Sequence, residues 1–258
     1  MHSPHTPTIS VIIPTLNSAQ VLESALESCL QQRFEIWECI IKDGGSTDGT
    51  QQIAQEYVED DPRFRLIEKE DRSVYDGMNQ AIDEARGDYL IFLGADDRLV
   101  NSFHQIVPLL QRPDTVYYGS VFMENGRRFY RGEFDTELLL SFNLCHQSIF
   151  YPRTAFKHFR YSDNFALWAD YELNWELWLD DRFQFQYFPI LTALYEQGGI
   201  SSEVDGSDTG WEKHLQESIV PRIDQSKSAQ RNMRNALRRR ICRFLLRKMG
   251  YAIPITGL

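Results

Sequence analysis

Four short apolar runs, separated by stretches that repeat every three or four residues, constrain this chain more than any other feature. "TISVIIPT" (8–15) is β-branched, too short for a helix and stopped at Pro14. "WECIIKD" (37–43), "FRLIEK" (64–69) and "YLIFL" (89–93) follow. The last is apolar throughout, as a strand covered on both faces should be. Between them lie three amphipathic faces: Val21, Leu22, Ala25, Leu26, Cys29 and Leu30; Ile53, Ala54, Tyr57 and Val58; Val74, Met78, Ala81, Ile82 and Ala85. Asn17 with Gln20, and Asp48 with Gln51, have the spacing of helix capping boxes. Gly87 stands where a glycine closes the third helix. This alternation predicts a mostly parallel α/β sheet with right-handed crossovers. Ligands of such sheets bind in the crevice at the carboxyl ends of the strands.

A polar cluster follows each run: Pro14-Thr15-Leu16-Asn17, Asp43-Gly44-Gly45-Ser46-Thr47-Asp48, Glu70-Asp71-Arg72 and Asp96-Asp97. All four therefore fall on one rim. An ionised carboxylate is expensive to bury without a partner, so Asp96 and Asp97 belong in water or on a cation. A solvated turn is the bland reading. Asp43 on the same rim, in a loop whose glycines admit a ligand close to the backbone, favours the cation. Adjacent carboxylates that leave positions for phosphate oxygens suit Mg²⁺ or Mn²⁺. A sugar nucleotide would supply those phosphates, and a divalent ion would stabilise the departing diphosphate.

Composition and charge narrow the class. A chain of 258 residues, 42% hydrophobic, can bury one full core with an appendage. Cys29, Cys39, Cys145 and Cys242 are scattered, without zinc spacing, which fits a reducing, cytoplasmic setting. Residues 1–7 read as a disordered N-terminus without a signal core, and no apolar run approaches the roughly 20 residues of a membrane span. After Asp224 there is no acid, while nine Lys and Arg contribute +9 and leave −19 on the remainder of a chain of net charge −10. That tail carries Met233, Leu237, Ile241, Phe244 and Leu245 at helical spacing, a pattern suited to lying on an anionic membrane surface. The acidic body argues against nucleic acid as a partner.

Beyond residue 100 the alternation fades. "VYYGSVFMENGRRFYRGEF" reads as a hairpin through Asn125-Gly126. "LWADYELNWELWLDD" reads as a helix with Trp168, Tyr171, Trp175 and Trp178 on one face and Asp170 and Glu172 off it. Residues 198–210 read as a Gly-, Ser- and Asp-rich loop.

Together "VIIPTLN", "IIKDGGSTDGT", "DRSVYDGMNQAIDEARGDYLIFLGADD" and "CHQSIFYPRTAF" resemble, in order, the motifs of family 2 glycosyltransferases with the GT-A fold, most of all those that build bacterial surface polysaccharides. The resemblance spans about residues 8–200. It implies a GT-A domain over 8–210, with a nucleotide-binding half (8–100) and an acceptor-binding half (101–210), followed by a basic helical extension over 211–258. Pro14, Thr15 and Asn17 would line the nucleotide pocket, Asp43 with Gly44 would meet the base, typically uracil, and Asp96 and Asp97 would serve metal and ribose-diphosphate. Which of the two holds the metal stays open, because Gly94 stands where many relatives have a further carboxylate. His146 would lie near the diphosphate, Arg72 would clamp it, and Asp170, with Glu172 as rival, would be the acceptor base. The implied reaction is transfer with inversion from a nucleotide-sugar donor to a glycan or lipid-linked glycan acceptor, at the inner membrane face. The rival readings are a nucleotidyltransferase, for which "PTLNSAQ" lacks a glycine-rich basic phosphate loop, and a non-catalytic nucleotide-binding module.

Overall fold

In the computed structural model, residues 7–196 and 209–230 are described. The first half runs β1 (Ile9–Thr15), α1 (Leu22–Leu30), β2 (Trp37–Asp43), α2 (Thr50–Asp60), β3 (Phe64–Glu68), α3 (Val74–Glu84) and β4 (Tyr89–Phe92). Then come β5 (Arg98–Leu99), the one-turn α4 (Phe103–Ile106), β6 (Thr115–Met123), β7 (Arg128–Phe129) and the one-turn α5 (Thr136–Leu139). The chain continues through β8 (Ile149–Pro152), α6 (Ala169–Leu179), β9 (Gln184–Tyr195), α7 (Thr209–His214) and α8 (Val220–Ile223).

Among the described residues the sheet order is β3-β2-β1-β4-β8-β6-β9-β5, with β7 hairpinned onto β6. The pairs β1–β2, β1–β4, β2–β3 and β6–β9 are parallel, and β8 and β5 are antiparallel to their neighbours. Strand alternation feeds two cores. Ile9, Val11, Ile13, Cys39, Ile41, Tyr89, Ile91 and Leu93 pack on the face covered by α1 and α2. Ile12, Ile40, Leu90 and Phe92 pack on the opposite face, with α3 and α6. Both faces are dry, which is why these strands read as near-continuous apolar runs.

The chain passes outward from β1 to β2 and β3, then returns to place β4 on the other side of β1. At the carboxyl ends of β1 and β4 the order of connections reverses, the place where ligands of open α/β sheets bind.

Three local expectations meet a different outcome. α1 starts at Leu22 with Val21 as N-cap and no side-chain cap, so Asn17 and Gln20 do not form a capping box. α2 starts after Gly49, whose φ of 100° makes the turn. Asp48 Oδ1 accepts from Thr50 N at 3.1 Å, but Gln51 is used elsewhere. α3 ends at an extended Ala85, not at Gly87. Gly87 is there because β1 passes over it: a Cβ would lie 2.5 Å from Ser10 N.

The hairpin forms, with Phe122 opposite Phe129 and Met123 opposite Arg128, so its loop has four residues centred on Asn125-Gly126. α6 is buried on nearly every side, with Leu173, Asn174 and Leu177 as dry as Trp175 and Trp178, so the reading of a single aromatic face was too narrow. Trp211, Ile219, Ile223 and Ala229 join the same core as α6. The loop expected over 198–210 lies outside the described residues except for its last two, and so do residues 1–6 and the basic stretch from residue 231. No helix of the described residues is long and apolar enough to cross a membrane.

Candidate active site

The rim at the ends of β1 and β2 is tied together by Asp43. Strand register sets Thr15 beside Asp43, and Thr15 Oγ1 donates to Asp43 Oδ2 at 3.3 Å. Asp43 Oδ1 accepts from Gly45 N (3.0 Å), Ser46 N (2.9 Å) and Gln51 Nε2 (2.7 Å), and Ser46 Oγ donates to Oδ2 at 2.5 Å. Asp43 is wholly buried. Burial alone would raise its pKa, but the donors from Ser46, Gln51 and Gly45 outweigh it and hold the carboxyl below its ordinary value. Asn17, at φ 51°, clips the neighbouring loop: Thr47 N donates to its Oδ1 at 2.9 Å, and its own N–H reaches Ser46 Oγ at 2.8 Å. Asparagine tolerates that left-handed backbone better than most residues. Pro14, half-buried, pairs in register with Lys42.

Behind this rim sits an ion pair that sequence reasoning missed. Lys42 Nζ is fully buried and spends its three protons on Asp43 O (2.9 Å), Lys69 O (2.5 Å) and Asp71 Oδ2 (2.8 Å). Asp71 reaches it through a gap made by two glycines: a Cβ on Gly44 or on Gly77 would lie 2.8 Å from Asp71 Oδ2. The glycine in "DGG" and the one in "YDGMN" were the available signal. Arg72 points elsewhere, three-quarters exposed and paired with Asp76 (3.3 Å) and Asp163 (3.0 Å).

Beyond β4 the two adjacent carboxylates have different surroundings. Asp96 is half-buried. Asp97 is buried, with Oδ2 accepting from Gln147 Nε2 at 2.5 Å and Oδ1 from Glu196 N at 3.1 Å. Its pKa is raised to about 6, first by burial, against the donation from Gln147 and with the added repulsion of Asp96. Both carboxylates lean over Gly94, where a Cβ would lie 2.6 Å from Asp97 Oδ2 and 2.8 Å from Asp96 Oδ1. A side chain at 94 has no room, which accounts physically for the glycine there.

A short 3₁₀ turn at His146–Ser148 joins this end of the crevice to α6. Gln147 holds Asp97, and the neighbouring His146 puts Nδ1 3.7 Å from Asp170 Oδ2. Burial pulls the His146 pKa down, but Asp170, Asp97 and Asp96 outweigh it and raise it above the ordinary histidine value. Asp170 lies in the first turn of α6, with Oδ1 accepting from Tyr75 Oη (3.0 Å) and Oδ2 from Asn143 Nδ2 (2.7 Å). Glu172 turns away, toward Ser162 and His214 (3.4 Å).

The structure thus brings Asp96, Asp97, His146 and Asp170 together and keeps Arg72 on a surface ion pair. Among the described residues no group of three or more His, Cys, Asp and Glu is arranged to hold a metal ion. Two adjacent oxygen donors remain, which fits a hard divalent cation that takes most of its ligands from phosphate and water.

Residues 10–168 match the family model described as Glycosyl transferase family 2. A PGL/p-HBAD biosynthesis glycosyltransferase of Mycobacterium bovis is 34% identical over 206 residues, covering 77% of this chain and 80% of that protein. Among solved structures, S. aureus TarS 1–349 in complex with UDP-GlcNAc matches with a TM-score of 0.70 at 17% identity, covering 85% of this chain and 67% of that one. In a second TarS 1–349 structure the chain spans 60% of the TarS chain. The mannosyltransferase PcManGT from Pyrobaculum calidifontis, in complex with GDP-Man and Mn²⁺, matches with a TM-score of 0.57 at 18% identity, covering 86% and 65%. These likenesses place the sheet among GT-A folds.

Proposed function

The chain belongs to glycosyltransferase family 2, and from that premise we propose that it moves a sugar from a nucleoside-diphosphate donor, a UDP-sugar, to a hydroxyl of a growing, lipid-linked surface glycan. The reaction is a single displacement with inversion. One observation carries this reading: the dipeptide His146-Gln147 ties the acid that follows β4 to the acid that opens α6. That arrangement supports a leaving-group end at Asp96 and Asp97 and a proton-accepting end at Asp170.

Asp170 takes the proton from the acceptor hydroxyl as its oxygen attacks the anomeric carbon on the face opposite the diphosphate. Positioning matters more than a large pKa shift for such a base. Thr15, Asn17 and the loop ordered by Asp43 and Gly44 line the nucleotide pocket. His146, whose pKa the neighbouring Asp170, Asp97 and Asp96 raise above the ordinary histidine value, lies near the diphosphate. Asp96, backed by Asp97, would hold Mg²⁺ or Mn²⁺, which supplies charge neutralisation for the departing diphosphate. The basic stretch beyond residue 230 would rest the enzyme on the anionic membrane face that carries the acceptor.

Incubation with UDP- and GDP-sugars, followed by analysis of products, tests the reading. Release of nucleoside diphosphate with an inverted anomeric product supports it. Release of pyrophosphate overturns it in favour of nucleotidyl transfer, and a retained configuration removes Asp170 as a simple base.

A further inference from the structure

Asp170 is the last member of a chain of polar side chains whose direction it sets. Asn143 Nδ2 donates to Asp170 Oδ2 at 2.7 Å. Asn174 Nδ2 donates to Asn143 Oδ1 at 2.8 Å, and Tyr151 Oη donates to Asn174 Oδ1 at 2.7 Å. An ionised carboxylate only accepts, so Asn143 must turn its nitrogen toward Asp170 and its oxygen toward Asn174. Asn174 must then donate, which leaves its oxygen for the hydroxyl of Tyr151. Tyr151 and Asn174 are both buried in the core, out of reach of bulk solvent.

The remaining oxygen of Asp170 is held from another element. Tyr75 Oη, on α3, lies 3.0 Å from Asp170 Oδ1 and 2.8 Å from Leu167 O, so its one proton bridges the base to the chain entering α6. Asn143 is itself anchored, since Tyr130 Oη donates to its backbone oxygen at 2.8 Å. Asn174 lies one turn after Asp170 on α6, so Asn143 spans two successive turns of that helix.

We propose that Asn143, Asn174 and Tyr151 form a directional hydrogen-bond chain that, with Tyr75, positions Asp170 for proton abstraction. None of the four is a catalytic residue; each is a positioning residue, and the proposal rests on Asp170 being the base. Oδ2 faces Asn143, with His146 Nδ1 3.7 Å away. Oδ1 meets a Tyr75 hydroxyl that it shares with Leu167 O, so Oδ1 keeps an acceptor position for the substrate hydroxyl. The deep burial of Tyr151 pushes its pKa well above the ordinary tyrosine value, so its hydroxyl keeps a proton to give to Asn174 Oδ1.

The test uses the full chain and whichever of UDP-glucose, UDP-galactose, UDP-GlcNAc or GDP-mannose it hydrolyses fastest, with water as acceptor. Tyr75→Phe and Asn143→Ala should lower kcat about 10- to 100-fold, the value of a hydrogen bond to a charged group. Tyr151→Phe should lower it less, and KM for the donor should stay put. In an Asp170→Asn background the same substitutions should cause no further loss, because groups acting as one unit are not additive. Asn143→Asp, which puts a second carboxylate against the first, should move the acid limb of the pH–rate profile upward. Multiplicative losses in the Asp170→Asn background, or an unchanged kcat in Tyr75→Phe and Asn143→Ala, would overturn the positioning chain. Full activity of Asp170→Asn itself would instead remove the base assignment. Tyr75→Phe and Tyr151→Phe delete one oxygen each, so they carry the test if Asn143→Ala does not fold.

Discussion

Gln147 donates its amide N–H to Asp97 Oδ2 at 2.5 Å, while the residue before it, His146, sits 3.7 Å from Asp170. Two acids 73 positions apart thus meet one short 3₁₀ turn. Asp97 is buried behind Asp96, which makes Asp96 the better placed of the two to meet a ligand. Asp97 in turn needs Gln147 to tolerate its burial.

The first prediction concerns the cation. Asp96→Ala should abolish sugar transfer while leaving the melting temperature near that of the parent, because a half-buried side chain carries little packing. EDTA should silence the parent enzyme and Mn²⁺ or Mg²⁺ should restore it. Undiminished turnover in chelator would remove the divalent ion from the reading.

Gly94 offers a test that deletes nothing. A Cβ there meets the oxygens of both carboxylates at 2.6 and 2.8 Å. Gly94→Ala should therefore displace them and cut turnover by more than tenfold, with circular dichroism unchanged. Parent-like rates would mean that the pair tolerates movement and does not act as a positioned ligand set.

The buried Lys42–Asp71 pair should be a strong point of stability. Lys42→Met leaves Asp71 facing an apolar side chain, and breaking a buried pair costs about 3–5 kcal/mol. Denaturant unfolding should show that loss, and adding Asp71→Leu should recover part of it. A double variant less stable than Lys42→Met would contradict the pairing argument.

Asp43 gives a dependence on pH. Its folded pKa lies below the ordinary value of 3.8, so its stabilisation is present at neutral pH and lost as pH falls through the folded value. Gln51→Leu removes a 2.7 Å donor and should cost about 1.5–3 kcal/mol at pH 7. The difference from the parent should shrink below about pH 4, where unfolded carboxylates protonate. A penalty of equal size at pH 3 and pH 7 would show that the effect does not act through the carboxylate charge.

The basic C-terminal stretch is tested by removing it after Gln230, which spares Ala229 in the core with its carbonyl accepting from Thr136 Oγ1 at 2.9 Å. The parent should sediment with phosphatidylglycerol vesicles at low salt and be released at high salt. The shortened chain should stay in the supernatant and still hydrolyse donor. Equal sedimentation of both would leave the stretch without a membrane role.

β5, β8 and β9 are not legible in the sequence by itself, but up to residue 93 the strands, the bodies of the helices and the rim on which the acids gather are. Those follow from periodicity, and periodicity is a local signal: alternate residues of β1, β2 and β4 go to opposite cores because successive side chains point to opposite faces. Asp43, Asp96 and Asp97 were legible for the same reason, each following a recognisable strand, whereas Asp170 was singled out only by the resemblance to family 2 glycosyltransferases. What the acids touch was decided only by tertiary structure. Gln51 has capping-box spacing from Asp48, yet its amide goes to Asp43, and Asn17 clips a loop thirty residues away instead of opening its own helix. Amide side chains make the same hydrogen bonds to near and distant partners, so spacing alone cannot choose between them. The partners of the proposed base lie on two other segments, Tyr75 on α3 and Asn143 before β8, and Asn143 is held in turn by Asn174 on α6. Their juxtaposition exists only once α6 is buried against the sheet, where leaving a polar group unpaired is costly and these side chains pair with one another.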